Sequence, residues 1–219
     1  MRNLQETIKI MQKRNYEAEM QEILNQKKPS LLLHACCAPC SSACLEKIAE
    51  KAEIKLYFYN PNIIPETEYQ YRLSELKRFV QEFPPAMGIE VIEGDYEPEK
   101  FLAFAKEFPD EPERGIRCQK CIAMRLEKTA EKALELNAEY FATTLTLSPH
   151  KDAPFINTTG FGIAEEKGVS WLPTDFKKKE GYKRSIELSR EYCLYRQDFC
   201  GCPFSKKNRE LEKQQKQTP

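Results

Sequence analysis

The sequence predicts an α/β fold with a mostly parallel sheet. Short apolar runs of strand type alternate with longer helix-like segments along most of the chain, a pattern typical of such sheets. Hydrophobic residues make up 41% of the 219 residues and aromatic residues 11%, which is enough for a packed core. This length fits one domain with short appendages. We therefore expect an N-terminal helix over residues 1–29, an α/β domain over 30–205 and a polar C-terminal tail, either a solvated helix or a disordered end, over 206–219.

The predicted elements follow one another in a regular order. Helical periodicity indicates helices within 1–27, from about 41, over 66–83 and 96–107, from about 117, within 153–168 and over 182–195. Apolar runs indicate strands at 31–35, 53–60, 88–94, 138–147 and 169–173. Breakers such as Pro84-Pro85 end these elements. Because helices separate the strands, parallel crossover connections are the expected arrangement.

The charge balance excludes a globally basic or acidic protein. Lys+Arg and Asp+Glu both number 34, so a nucleic-acid site must be a local patch. No stretch approaches the ~18 apolar residues of a membrane span. The charged N-terminus lacks the apolar region of a secretory signal. We therefore expect a cytoplasmic protein without membrane contact, in which thiols stay reduced.

Nine cysteines in such a protein need an explanation other than structural disulfides. One group directly follows the first predicted strand, and a CxxC pair begins the helix before the fourth strand. Ligand sites form at the carboxyl ends of parallel strands, so these two groups are expected to meet in one site. The cysteines are Cys36, Cys37, Cys40, Cys44, Cys118, Cys121, Cys193, Cys200 and Cys202.

The spacing favours iron–sulfur ligation over zinc. A CxxC pair can bind a metal or form a redox pair, but adjacent cysteines such as Cys36-Cys37 fit poorly in a tetrahedral zinc site. Zinc, or buried cysteines acting as small apolar residues, remain the alternatives. For Cys44 and Cys193, which lie within helical patterns, core packing is the favoured interpretation.

The Cys200-Gly201-Cys202 segment is a separate element. A disulfide across one glycine is strained and easily reduced, which favours a redox pair over two further metal ligands.

Asp95 follows the third strand, where an exposed loop acid or a helix cap is more typical than a ligand. His34 is expected to be buried in its strand and His150 to lie in a loop of the site.

A basic stretch near the C-terminus is the strongest nucleic-acid signal. Its cations can neutralise phosphates, and its tyrosine and arginine planes can stack on unpaired bases. Charge runs are often only solvated helix faces, so both interpretations stay open. The residues concerned are Lys177, Lys178, Lys179, Tyr182, Lys183, Arg184 and Arg196.

Five segments together resemble the cobalamin-independent epoxyqueuosine reductase family. They are HACCAPCSS, YNPNI, RCQKCIAMRLEKTA, FATTLTLSPHKD and GYKRSIELSREYCLYRQDFCGCPFS, in order from Leu31 to Ser205. The resemblance implies reduction of epoxyqueuosine at the tRNA wobble position to queuosine. It also implies a fold similar to the nucleotide-binding fold of ATP-pyrophosphatase tRNA-modifying enzymes. CCAPCSS stands in place of their Gly-rich phosphate loop, so ATP use is not expected.

The resemblance further implies a [4Fe–4S] cluster on Cys36, Cys37, Cys118 and Cys121, and a redox-active pair at Cys200 and Cys202. Cys40 and Asp95 stay candidates for joining the site, and a second metal ion is a possibility that the sequence leaves open. The implied partners are the tRNA anticodon loop and an unidentified electron donor.

Three other functions are weighed against this one. An iron–sulfur-dependent tRNA sulfur transferase would need ATP and its phosphate loop. A zinc-stabilised RNA-binding module leaves the CGC segment unexplained. A plain thiol–disulfide oxidoreductase has no use for the four-cysteine metal set.

Overall fold

Five parallel strands form one sheet in the order β3-β2-β1-β4-β5. The protein is represented by a computed structural model that describes residues 14–217. Every neighbouring pair of strands is parallel, which confirms the predicted fold class. The strands are β1 (Ser30–His34), β2 (Glu53–Phe58), β3 (Glu90–Glu93), β4 (Tyr140–Thr143) and β5 (Ser170–Trp171).

Eight α-helices lie within the described residues: α1 (Tyr16–Gln26), α2 (Ala38–Ile48), α3 (Glu66–Glu82), α4 (Pro98–Ala105), α5 (Ile116–Glu135), α6 (Ala153–Lys167), α7 (Gly181–Glu191) and α8 (Pro203–Gln217). Local sequence explains their ends. Asp152 caps α6 by accepting a hydrogen bond from the Phe155 N–H, and Gly168 ends it in the left-handed conformation. None of these helices combines the length and apolarity needed to cross a bilayer.

The structure differs from the prediction in one strand, and at each end it bears on only part of the prediction. The first half of the predicted N-terminal helix, residues 1–13, lies outside the described part. Of the two alternatives for the polar tail, a solvated helix and a disordered end, the structure shows the helix, α8. β4 has only four residues, because the Thr143 hydroxyl accepts a hydrogen bond from the Leu145 N–H and starts a 3₁₀ turn.

Apolar side chains cover both faces of the sheet. Leu31 and Leu33 of β1 face a core formed with α1, α2, α3 and α7, whereas Leu32 faces a core formed with α5 and α6. Both faces are therefore buried, as expected for a parallel sheet. A third, smaller apolar cluster contains Phe101 of α4, Cys121 of α5 and Cys202, and Phe204 of α8 packs against it.

The strand order creates a topological switch point at β1. The chain passes from β1 to β2 on one side and returns to β4 on the other. Crevices form at the carboxyl ends of strands at such points. Cys36 and Cys37 follow β1, and the 3₁₀ turn Thr144–Leu147 follows β4, so both segments meet at this crevice.

Gly160 of α6 packs against Trp171 of β5 without room for a side chain. A Cβ atom at Gly160 would overlap the indole ring. The ring is held in place by a 3.0 Å hydrogen bond from Trp171 Nε1 to Asn157 Oδ1. We expect Gly160→Ala to lower the free energy of unfolding by about 1–3 kcal/mol, measured by urea denaturation, because α6 must move away from the sheet.

Gly162→Ala is the matched control for this prediction. Gly162 lies on the same helix and has no atom near the position of an added Cβ. Alanine is favoured over glycine within a helix, so this variant should raise stability by up to about 1 kcal/mol. Equal destabilisation by both substitutions would contradict the proposed clash.

Candidate active site

A buried histidine at the end of β1 is hydrogen-bonded to the carboxyl ends of β2 and β4. His34 Nδ1 lies 2.8 Å from Thr143 Oγ1, and Nε2 lies 3.1 Å from the Tyr59 carbonyl oxygen. Because the Tyr59 carbonyl oxygen can only accept, Nε2–H of the neutral ring donates to it, and Nδ1 accepts from the Thr143 hydroxyl. Burial lowers the pKa of His34 to about 4, so the ring is neutral at pH 7. The predicted burial of His34 is confirmed.

The first group of thiols lies directly beyond β1. The sulfur atoms of Cys36, Cys37 and Cys40 all lie within 4.8 Å of one another. The Cys36 N–H donates a 3.4 Å hydrogen bond to Thr144 Oγ1, so the turn after β4 holds this group. Three sulfur ligands at this spacing are suited to holding a metal ion.

Negative charge is more favourable on one of these three thiols than on the other two. Hydrogen bonds from Cys36 and Cys40 lower the pKa of Cys37 well below its usual range. The same hydrogen bond with Cys37 raises the pKa of Cys36 to about 11, and hydrogen bonds with both neighbours raise the pKa of Cys40. Among these three thiols, Cys37 is therefore the one that loses its proton most readily. Metal binding would displace the remaining protons.

The second group of thiols comes from α5 and the CGC segment. Cys118, Cys121, Cys200 and Cys202 line one small pocket together with Asn62. Burial raises the pKa of Cys121 to about 12, although the nearby guanidinium of Arg125 opposes this effect. The two CxxC cysteines thus lie beside the CGC segment, while Cys36 and Cys37 lie beside Cys40.

Two cations, the buried Arg125 and the half-buried Lys151, face these thiols. Arg125 is 2% exposed, and its Nε donates a 3.1 Å hydrogen bond to the Cys121 carbonyl. Lys151 Nζ lies 3.4 Å from Cys200 Sγ. Neither cation has a carboxylate oxygen within 4 Å among residues 14–217. Cys200 raises the pKa of Lys151, and for Arg125 the surrounding cysteines outweigh the effect of burial.

A buried cation without a carboxylate is costly unless another anion compensates it. The thiols around Arg125 and Lys151 are the groups in position to carry that negative charge. Sequence reasoning placed the loop of Lys151 at the site but gave this residue no role, and it missed Arg125. The only sequence signal for Arg125 is its position one helical turn after Cys121.

The CGC segment adopts a turn that requires glycine at its centre. Gly201 has φ +121°, and a Cβ atom there would lie 2.8 Å from Ile63 Cγ1. The Arg72 guanidinium donates a 3.2 Å hydrogen bond to the Cys200 carbonyl oxygen. Cys200 is half-buried and Cys202 is buried, and both are free thiols.

One cavity of about 730 Å³ connects the two groups of thiols. This volume is within the range of small-molecule sites. Its wall includes Cys36, Cys40, Arg125, Lys151 and Cys200. Residues of α8, which was expected to be a polar tail, form another part of the wall.

The remaining predicted residues lie in different surroundings. Asp95 is exposed after β3 and is not among the residues that line the cavity. His150 lines the cavity from the loop after β4, as expected. Cys44 is fully buried, which confirms its expected core packing. Cys193 is exposed just beyond α7, so the expectation that it packs in the core is wrong.

Ion pairs neutralise most of the basic stretch. Tyr182 and Arg196 line a small pocket beside Cys40, close to the cavity. The other cations face carboxylates, except for the exposed Lys178. The pairs are Lys177 with Asp175, Lys179 with Glu17, Lys183 with Glu180, and Arg184 with Glu46 and Glu187.

Comparisons with known proteins identify the family. The family model of epoxyqueuosine reductase QueH matches residues 31–208. Relatives of that name include the proteins of Staphylococcus epidermidis, 44% identical over 89% of this chain and 85% of the relative, and Streptococcus pyogenes, 42% identical over 94% and 85%. The Thermotoga maritima protein is 36% identical over 80% of this chain and 90% of the relative. The chain therefore belongs to the epoxyqueuosine reductase QueH family.

Proposed function

We propose that this chain reduces the epoxide of epoxyqueuosine at the tRNA wobble position, forming queuosine and water. The observation that carries the proposal is the arrangement of seven thiols, the buried Arg125 and the half-buried Lys151 around the crevice at the topological switch point. Such a site can hold a negatively charged redox centre next to a substrate cavity. Family membership supplies the substrate.

The competing functions fit these residues less well. A tRNA sulfur transferase that uses ATP needs a Gly-rich phosphate loop, but here CCAPCSS follows β1 and forms the start of α2. A zinc-stabilised RNA-binding module has no use for a lysine held against a half-buried thiol at Cys200.

We further propose a [4Fe–4S] cluster on Cys36, Cys37, Cys118 and Cys121. The free thiols around the cavity are suitable donors, and a thiolate-ligated cluster would supply the negative charge that Arg125 lacks among its neighbours. Cys40 has its sulfur close to those of the first pair, so it stays a candidate ligand of the cluster or of a second metal ion. When bound, the metal centre would transfer electrons one at a time and polarise the epoxide oxygen.

The Cys200/Cys202 pair matches the stoichiometry of the reaction. Conversion of an epoxide to an alkene breaks two C–O bonds, forms a C=C bond and consumes two electrons and two protons. Oxidation of one dithiol to a disulfide releases two electrons and two protons, so the oxygen leaves as water. The Lys151 ammonium at 3.4 Å stabilises negative charge on Cys200 Sγ. An unidentified electron donor must then reduce the disulfide.

The substrate base must leave the anticodon stack to reach these thiols. Phe199 lines the cavity, and the Arg72 guanidinium lies 5.1 Å from the centre of its ring. This aromatic and cationic surface is suited to holding an unstacked base. Tyr182 and Arg196, which adjoin the cavity, are the members of the basic stretch best placed to contribute.

Metal content is the first test of the proposal. Protein purified without oxygen should contain about four iron and four sulfide per chain and absorb visible light. Cys118→Ala should lower the iron content because it removes one ligand. Cys193→Ala is the control, since Cys193 is exposed outside the cavity and its loss should leave the iron content unchanged. One zinc per chain without a visible chromophore would contradict the redox mechanism.

Loss of either thiol of the CGC segment should separate electron transfer from metal binding. We expect Cys200→Ser and Cys202→Ser each to lower turnover of epoxyqueuosine tRNA by at least about 100-fold, a scale appropriate for a reacting group. The iron content should stay at the wild-type value, measured on the same samples. A loss of iron in either variant would instead indicate that these cysteines are metal ligands.

A further inference from the structure

The loop that joins α4 to α5, residues 106–115, brings a carboxylate to the site. Glu113 lines the cavity of about 730 Å³. It also lines the small pocket that contains the CxxC pair and the CGC segment. An acidic side chain that belongs to both walls can contact a substrate that extends from the cavity toward the thiols.

Glu113 is the acid of the cavity wall that is left without an ion pair. Asp198 pairs with Lys213 at 2.6 Å, and Glu212 pairs with Arg209 at 2.6 Å. Within residues 14–217, by contrast, no basic side-chain nitrogen lies within 4 Å of the Glu113 carboxylate. A cationic ligand can therefore pair with Glu113 without first displacing a cation of the protein.

Hydrogen bonds hold the backbone on both sides of Glu113. The Arg114 guanidinium donates to the carbonyl oxygens of Pro149 at 2.9 Å and His150 at 3.1 Å, which ties the loop to the segment after β4. On the other side, the Arg117 guanidinium donates to the Glu111 carbonyl oxygen at 2.7 Å. The position of Glu113 at the cavity is thus set by contacts on either side of it.

The residue directly after Glu113 has a strained backbone. Arg114 has φ +73°, in the left-handed region that is unfavourable for a residue with a side chain. Such conformations persist only where the surrounding structure holds them, and they cluster at ligand sites. The hydrogen bonds of the Arg114 side chain supply that support here.

The substrate of the proposed reaction carries a group that matches a carboxylate. In epoxyqueuosine, a secondary amine joins the 7-deazaguanine ring to the cyclopentane ring that bears the epoxide. An aliphatic amine of this kind is protonated at neutral pH, and an ammonium group inside a cavity is costly unless an anion pairs with it. The epoxide begins at the ring carbon next to the one that carries this nitrogen. An anion that fixes the ammonium group therefore also positions the epoxide.

We propose that Glu113 binds the ammonium group of the substrate and thereby selects the modified base over guanine. This inference rests on the proposed function and assigns a specificity residue to the same site. The base would lie against Phe199 in the cavity, and its amine-linked arm would extend past Glu113 toward Cys200, which belongs to both walls.

The test measures how well the metal-loaded, full-length chain distinguishes two tRNAs without added reductant. One carries epoxyqueuosine at the wobble position, and the other is the same tRNA with guanine there. The wild type should bind the modified tRNA at least about tenfold more tightly, the scale of one charge-assisted hydrogen bond. Glu113→Gln should lose most of this preference, because it weakens binding of the modified tRNA and leaves binding of the guanine tRNA unchanged.

Glu107→Gln is the matched control. Glu107 is exposed at the start of the same loop and is not among the residues that line the cavity. Its replacement removes the same charge, so a general electrostatic effect on tRNA binding would appear in both variants. We expect this control to keep the wild-type preference. Unchanged melting temperature and iron content would show that each variant is folded and loaded.

The outcomes separate this assignment from the proposed function. A wild-type preference in Glu113→Gln, or an equal loss of affinity for both tRNAs, would overturn the role of Glu113. Equal binding of both tRNAs by a wild-type chain that still reduces epoxyqueuosine tRNA would overturn it as well, and the proposed function would stand. A wild-type chain that neither prefers nor reduces the modified tRNA would overturn both.

Discussion

The parallel pairing of β1 with β4 is the constraint on which the site depends. This pairing places His34 opposite Thr143, and the buried hydrogen bonds of the histidine join both strands to the end of β2. Cys36 then meets the hydroxyl of Thr144. Because side chains alternate between the faces of a strand, a shift of one residue in this register would bury different side chains and separate these partners.

Electrostatics impose a second constraint on the same crevice. The buried Arg125 and the half-buried Lys151 lie next to cysteines and lack carboxylate partners within the described residues. Their charge favours thiolates, and thiolates are the form in which cysteine binds metals and donates electrons. The fold thus supplies a positive environment before any cofactor binds. The same environment suits a substrate that carries phosphates.

Part of this site can be predicted from the sequence alone, and part cannot. The cysteine spacings and the strand that precedes Cys36 predicted both the residues and their edge of the sheet. The close contact between Lys151 and Cys200 joins residues 49 positions apart, and no local pattern encodes it. The ion pairs of Lys179 with Glu17 and of Arg184 with Glu46 likewise join distant parts of the chain, so no sequence pattern indicated them.

The sequence by itself determined the fold class, the set of cysteines available to the site and the family, because periodicity and motif spacing are local properties. Only the tertiary structure decided which groups meet. It sets Cys118 and Cys121 beside the CGC segment, and Lys151 beside Cys200. It also turns the expected tail into a wall of the cavity. These outcomes depend on crossover connections and on the packing of distant helices, which bring together residues that share no sequence pattern.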